Sequence, residues 1–365
     1  MIRHEEIRFK MMRDGIEYGE LYAKSAPTLR MQSNGEIKTS FQGTFFPMAK
    51  DTRGNDVEVD WLYDEIKPIL VIDGEEEPLG VLMPSTVTPK ESKGETTLEI
   101  QAYDRCWRVR DNKVEGALYL SSGTAYIDAV EQLLTSSGIA TIIVTPSEAV
   151  LAEDRQDWET GTSYLKIIND LLKEINYKQL WFNQYGFAIL EPASTPTAEN
   201  IQHIFTNQKP DPRNQKEVAA IRLLPQISRK TDIYQAPNVF LCICSNADKD
   251  AGMKATAENN NPQSPLSTIR RGRRIVKEIK VDNIESQEAL QTYADRLLYE
   301  SMTTGEVINV DTALQSGFGV DDVTAIRYDS RESTLGICVE KAWTMTLAPG
   351  GIMSHELEKV VINLG

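Results

Sequence analysis

A twelve-residue phrase occurs twice in this chain and commits its middle to a pair of short helices. Gly123-Thr124-Ala125-Tyr126-Ile127-Asp128-Ala129-Val130-Glu131-Gln132-Leu133-Leu134 recurs as Gly161-Thr162-Ser163-Tyr164-Leu165-Lys166-Ile167-Ile168-Asn169-Asp170-Leu171-Leu172. Ile127, Val130 and Leu134 match Leu165, Ile168 and Leu172 at the three- and four-residue steps of one helical stripe. Thr124 and Thr162 stand where an N-cap would accept a hydrogen bond from a first-turn N–H. Two copies are too few for a solenoid, which needs about three repeats to bury a continuous core. The phrase therefore predicts two helices of one small module.

A chain of 365 residues has room for two or three compact units. No stretch approaches the ~20 apolar residues of a membrane span, and the N-terminus lacks the apolar core of a signal peptide. Synthesis in a cytoplasm, without membrane insertion, is expected. Cys242 and Cys244 lie two apart in a run that reads as a strand, so both point to one face. No second Cys or His pair follows at zinc-finger spacing, and buried thiols are predicted instead of a metal site. The net charge of −15 argues against a protein that grips nucleic acid by its phosphates. One basic cluster, Arg270, Arg271, Arg273 and Arg274, reads as a solvated edge, with a contact to an acidic partner as the sharper alternative.

Strand signals fill the first third from Ile66 onward. Ile66 to Ile72 and Leu79 to Met83 flank the turn residues Asp73 to Pro78, a hairpin pattern, and Thr96 to Asp104 alternates as a third strand. The stretch from Arg13 to Asp60 is polar and Gly-rich, with apolar clusters too short to assign. After the two helices, Ile139 to Val144 and the pair Gln179–Asn183 and Tyr185–Leu190 complete an α/β module. Glu191 to Arg274 reads as loop-rich, with an exposed loop over Ala257 to Pro265. Ser286 is the expected cap of a helix carrying Leu290, Tyr293, Ala294, Leu297 and Leu298, with Gly305 as its stop. Strands are then expected over Glu306–Asp311, Val323–Tyr328, Ile337–Leu347 and Lys359–Asn363.

Residues that could carry chemistry are few. His4, His203 and His355 are the only histidines, and none pairs with another at ligand spacing. His355-Glu356-Leu357-Glu358-Lys359 begins like a zinc-protease helix but has Lys359 where the second imidazole belongs. Gly317-Phe318-Gly319-Val320-Asp321-Asp322 lacks the third Gly and the Lys of phosphate-binding loops, and reads as a turn before a strand. Asp321-Asp322 and Glu75-Glu76-Glu77 are candidate paired carboxylates, each in a predicted turn where solvated acids are ordinary. No catalytic, cofactor-binding or metal-binding residue is assigned, no cofactor is expected, and a non-enzymatic role follows.

Taken in order, several segments resemble the baseplate or tail-tip hub proteins of long-tailed bacteriophages, prophages and phage-tail-like bacteriocins. They are the hairpin with Pro68, Gly74 and Pro78-Leu79-Gly80, the strand ending Ala102-Tyr103-Asp104-Arg105, and the phrase from Gly123 to Gly138-Ile139. Tyr185-Gly186-Phe187 to Pro192, Asp232 to Val239, Asn261 to Ser267 and the helix Ala289 to Glu300 continue the series, which ends with Trp343 to Leu347 and Gly350 to Met353. The resemblance runs from about Pro68 to Gly365.

That resemblance implies an α+β chain with two tube-type β-barrel domains flanking a small inserted α/β module. The expected units are a first barrel over 1–115, the two-helix module over 116–192, a loop-rich connection over 193–274 and a second barrel over 275–365. It further implies a homotrimeric ring joining a sixfold tail tube, or its initiator protein, to a threefold spike or tip. Other baseplate proteins would adjoin it, and DNA would meet it only as a passenger through an acidic lumen. The implied location is the tail baseplate of a virion or phage-like particle. The competing reading is a tail-associated peptidoglycan-binding or hydrolytic protein, whose two-helix module grips glycan.

Overall fold

The computed structural model describes residues 3–208, 220–231, 236–244, 252–281, 284, 286–301, 303–328 and 336–360. The first part of the chain holds ten strands: β1 (Glu5–Arg13), β2 (Ile16–Leu21), β3 (Thr28–Gln32), β4 (Thr39–Phe45), β5 (Ala49–Lys50), β6 (Asp56–Val57), β7 (Glu65–Ile72), β8 (Glu75–Pro78), β9 (Met83–Ser92) and β10 (Glu95–Tyr103). The module follows with α1 (Cys106–Asp111), α2 (Tyr126–Ser136), β11 (Ile142–Val144), α3 (Tyr164–Glu174), β12 (Trp181–Phe182) and β13 (Ala188–Leu190). Beyond it lie β14 (His203–Thr206), β15 (Ile221–Thr231), β16 (Val239–Cys244), β17 (Met253–Glu258), α4 (Thr268–Arg271), β18 (Val276–Val281) and α5 (Gln287–Ser301). The last strands are β19 (Thr303–Ala313), β20 (Val323–Arg327), β21 (Gly336–Thr346) and β22 (Ile352–Val360).

Six strands close on themselves. The order β20-β14-β15-β19-β22-β21 returns to β20 through the antiparallel β20–β21 pair, which makes a barrel. The same β21 pairs on its other edge with β3, from Ala342↔Gln32 to Thr346↔Thr28. The second barrel's wall therefore runs on as β3-β4-β10-β9. Against that extension lies a separate sheet, β6-β5-β2-β1-β7-β8, and the two bury Phe9, Met11, Leu21, Leu29, Phe41, Phe45 and Ile100 between them. Alternation explains the arrangement in β10, where Leu98, Ile100 and Ala102 turn inward while Glu99 and Gln101 stay exposed.

Several local expectations shift. The Ile66 hairpin has its turn at Asp73-Gly74 alone, both with positive φ (52° and 95°), and Glu75 to Pro78 continue as β8 instead of forming the loop. In the repeated phrases the caps are Ala125 and Ser163, one residue later than Thr124 and Thr162. The reason is a preceding tight turn. Gly123 and Gly161 take φ of 83° and 90°, as the third residue of a type II turn requires. The next N–H closes that turn, Thr124 onto Ser121 O (3.2 Å) and Thr162 onto Glu159 O (3.0 Å). Only Ser163 then has a side chain that caps, accepting from Lys166 N at 3.2 Å.

The stretch from Glu191 to Arg274, expected to be loop-rich, holds β14 to β17. β16, β17 and β18 form a small sheet of their own, and α5 packs on it through Leu290, Ala294 and Leu298. Cys242 and Cys244 share the inner face of β16, both fully buried, and burial pushes the Cys242 thiol up. Ser286 caps α5 by accepting from Ala289 N at 3.1 Å. The helix ends at Ser301, and Gly305 falls inside β19 rather than stopping it. β22 begins at Ile352, well before the expected Lys359, and positions 361–363 of the expected last strand lie outside the described residues.

Candidate functional site

The feature most open to other molecules is a continuous run of eight strands, β9-β10-β4-β3-β21-β22-β19-β15. From β10 through β19 one face of this run packs against the interior of the molecule, whereas β9 and β15 carry no buried residue among those described. The other face is polar and carries Thr28, Arg30, Gln42, Gln101, Ser354 and Glu356, all exposed. Across β10, β4, β3 and β21 this outer face is concave, forming an open trough of about 420 Å³ lined by Thr28, Arg30, Ser40, Gln42, Gln101 and Thr344. Phe41 and Tyr103 complete the lining, so hydroxyl and amide groups share it with aromatic surface. The acid excess of the chain does not collect there, since Glu99 faces Lys90 at 3.2 Å and Arg30 sits in the trough itself.

The run ends on an open strand edge at β9 and, within the closed barrel, on the lightly paired β15. Among the described residues β9 pairs only with β10 as a strand, and β15 meets β14 only through Ile221 and Arg222. Each end is guarded. β9 contains Pro84, Pro89, Lys90 and Glu91, and β15 contains Pro225, Arg229 and Lys230, residue types that discourage indiscriminate strand addition.

Four of the candidate carboxylates pair within the framework, while Glu75 stays exposed on β8. Asp322, 4 % exposed, accepts from Gln202 Nε2 (3.0 Å) and Gly319 N (2.7 Å) and lies 2.9 Å from His203 Nε2, tying β14 to the turn before β20. Asp321 pairs with Lys341 at 2.7 Å. Glu76 on β8 pairs with Arg8 on β1 at 2.9 Å, and Glu77 accepts from Ser316. His355 lies on strand β22, not on a helix, opposite Trp343 and Val310. It stands 3.1 Å from Glu340 and 3.0 Å from the Thr312 hydroxyl inside the closed barrel. Burial pushes the Glu340 carboxyl above its ordinary range, and His355 beside it pulls the other way. No group of three or more His, Cys, Asp or Glu side chains is placed to hold a metal ion among the described residues. Nor is any helix among them long and apolar enough to cross a membrane.

The module is fixed to both flanks. Arg105 at the start of α1 makes a two-point contact with Glu65 of β7 (2.8 and 2.6 Å) and donates to Gly186 O (2.9 Å). Lys38, 2 % exposed, gives its ammonium three acceptors at 2.7 Å: Ser33 O, Gly35 O and Gln179 Oε1. Burial lowers its pKa. Lys178 reaches Val320 O at 2.9 Å on the second barrel's side. Inside the module the apolar stripes of α2 and α3 meet each other and are used up in its own core. Tyr126 of the first phrase donates to Glu174 at the end of the second (2.9 Å), and Arg155 joins the same carboxylate at 2.8 Å.

No family model and no curated protein matches the sequence. Solved structures do. The tail protein from Neisseria meningitidis superposes with a TM-score of 0.66 at 13 % identity, over 97 % of this chain and 96 % of that one. The likeness is one of fold. The 43 kDa tail protein of prophage MuSo2 from Shewanella oneidensis gives 0.63 at 11 % identity, covering 97 % and 98 % of the two chains. Prophage tail protein gp18 from Listeria monocytogenes gives 0.55 at 11 %, covering 96 % and 94 %. The mostly β architecture, with its closed six-stranded barrel, is thus the fold of phage and prophage tail proteins from end to end.

Sequence reasoning left β1 to β6 largely unassigned, although Thr28-Leu29-Arg30-Met31-Gln32 alternates as a half-buried strand should, with Leu29 and Met31 buried. That alternation was the available signal. For Lys38 and Arg155 no local pattern points to their partners, since Lys38 joins the nearby Ser33–Gly35 turn to Gln179 141 residues on, and Arg155 meets Glu174 at the far end of α3.

Proposed function

We propose that this chain is a structural, non-enzymatic hub of a phage or phage-like tail baseplate. Three copies close into a ring that joins the sixfold tail tube to the threefold spike or tip. The observation that carries the reading is the eight-strand run. Two barrel halves in one chain share a single sheet, so three copies present six quasi-equivalent strand groups on a threefold axis, the geometry an adaptor between those symmetries needs. The open edge of β9 and the part of β15 beyond Arg222, which β14 does not cover, would pair between neighbouring copies, which removes the edges a lone monomer leaves exposed.

In such a ring the apolar face of the run is already occupied, so the concave polar face lines the lumen. Its Thr, Ser and Gln side chains, with a single Arg30 among them, give a passenger only a sparse cationic grip on phosphates. The tail location and the neighbours on either side, tube and spike, belong to the same proposal. The fold-level likeness to tail proteins supports it.

The division of the chain is proposed accordingly: a first barrel over 1–115, the inserted module over 116–192, the connection over 193–274 and the second barrel over 275–365. The connection lends β14 and β15 to the second barrel. Paired cysteines placed on β9 and β15 test the ring. Cross-linking into a closed trimer is the expected outcome, whereas dimers or open ladders would refute it.

A further inference from the structure

The arginine-bearing turn at α4 is held far more rigidly than a solvated edge needs. Asn238, fully buried, donates to Leu266 O (3.2 Å) and Arg273 O (2.9 Å) and accepts from Ile275 N (2.6 Å). Asn259 donates to Ser264 Oγ at 2.9 Å, and Ser267 caps α4 by accepting from Arg270 N at 3.1 Å. Asn238, Asn259, Ser264 and Ser267 are each at most 2 % exposed. The expected exposed loop over Ala257 to Pro265 is therefore a compact pedestal. Burying four polar side chains is tolerable only because each is bonded, and the result is a turn with little freedom left.

What the pedestal presents is chemically distinctive. Residues 259–277 hold four arginines and Lys277 with no acidic side chain, in a chain of net charge −15. Arg271 is half-buried and ties the turn to Ala236 O at 2.8 Å, Arg274 is exposed and pairs with Glu258 at 3.2 Å, and Arg270 and Arg273 are exposed. Ile269 stands among them at 62 % exposure, and Val276 at 53 %. An apolar anchor ringed by guanidinium groups is the composition of a protein-binding hot spot, and arginine's fork matches carboxylates two bonds at a time. A polypeptide fits better than nucleic acid because Ile269 and Val276 offer exposed apolar surface beside the guanidinium groups, which a protein side chain can cover and a phosphate backbone cannot.

We propose that the Ile269–Arg274 knuckle is a docking surface for a carboxylate-rich face of an adjoining polypeptide. A preformed knuckle costs little to order on binding, which is what the buried asparagine and serine network supplies. The inference stands apart from the hub reading, since it concerns a surface outside the eight-strand run.

Fluorescence anisotropy on the full chain tests it, with a labelled peptide of alternating Glu and Leu as probe and a labelled single-stranded DNA of equal charge beside it. Wild type should bind the peptide in a salt-sensitive way, and more tightly than the DNA. Arg270→Ser with Arg273→Ser should weaken peptide binding about tenfold or more, and Ile269→Ala severalfold, with an unchanged thermal midpoint. Arg270→Lys with Arg273→Lys should fall between, keeping charge but losing the fork. Peptide binding that is absent from wild type or unaffected by the serine pair would overturn the proposal. So would tighter binding of the DNA, or a changed oligomeric mass in the serine variant, which would assign the knuckle to self-association.

Discussion

The two β cores of this chain, the packed pair of sheets and the closed barrel, are stabilised by different kinds of interior. Between β1-β2-β7 and β3-β4-β10 the filling is apolar, with Phe9 edge-on to Phe45 at 5.0 Å between ring centroids and Phe41 tilted beside both. Its charges are kept at the rim, where Arg13 and Tyr18 hold the buried Asp64. Burial pushes Asp64 up, and those bonds outweigh it, leaving its pKa below the usual value. The closed barrel instead buries Glu340, His355 and Thr312 among Phe205, Phe318 and Leu357. Apolar packing supplies stability without direction. A satisfied polar triad supplies direction, because a strand displaced by one residue would leave a buried carboxyl without a partner.

The largest effect should come from the apolar side. Phe45→Ala should cost about 3–5 kcal/mol in denaturant unfolding, since the site is fully buried and ringed by aromatics. A loss under about 1 kcal/mol would mean that the two sheets close over the gap. On the polar side, His355→Ala should cost about 3 kcal/mol by stranding Glu340. Replacing both, with Glu340→Met and His355→Leu, should recover most of that loss while weakening register. If the double variant is as unstable as the single one, the triad is not the specificity device described here.

The pH dependence separates the interiors further. Glu340 has a raised folded pKa, so between its ordinary and raised values the unfolded chain has released a proton that the folded chain keeps. Stability should therefore fall as pH climbs through that window, then level off. Glu340→Gln should flatten this segment in midpoint-against-pH curves. Asp64 acts with the opposite sign, its contribution being present above the ordinary carboxylate range and lost as pH falls below it.

The smallest effects belong to the module's two phrases. Ser163→Ala should cost about 1 kcal/mol by removing a cap, whereas Ala125→Ser should gain up to about 1 kcal/mol at the corresponding place. Equal responses would mean that the two turns are interchangeable.

How far the chain could be read follows from the range of the forces involved. Periodicity is local, so the helices at Tyr126 and Tyr164 and the strand Val239–Cys244 were legible. The caps were misplaced by one residue because the Gly-Thr pair closes a turn before the helix begins. The pairing of β3 with β21 joins residues some three hundred positions apart, and no local pattern announces it. The Ala257–Pro265 segment reads as an exposed loop for a similar reason: the partners that bury Asn259 and Ser264 lie across the turn and leave no local pattern. At the proposed hub surface the alternation of β3 and β10 was visible in sequence, whereas the concavity arises only once β21 joins them.

The central claim, that the shared sheet exists to close a threefold ring, is tested most directly by sedimentation of the intact chain. The account predicts a concentration-stable species at three times the 41.0 kDa protomer mass, reduced to monomers when β9 and β15 both carry additional edge charges. A strictly monomeric wild type, or a trimer indifferent to those two edges, would contradict it.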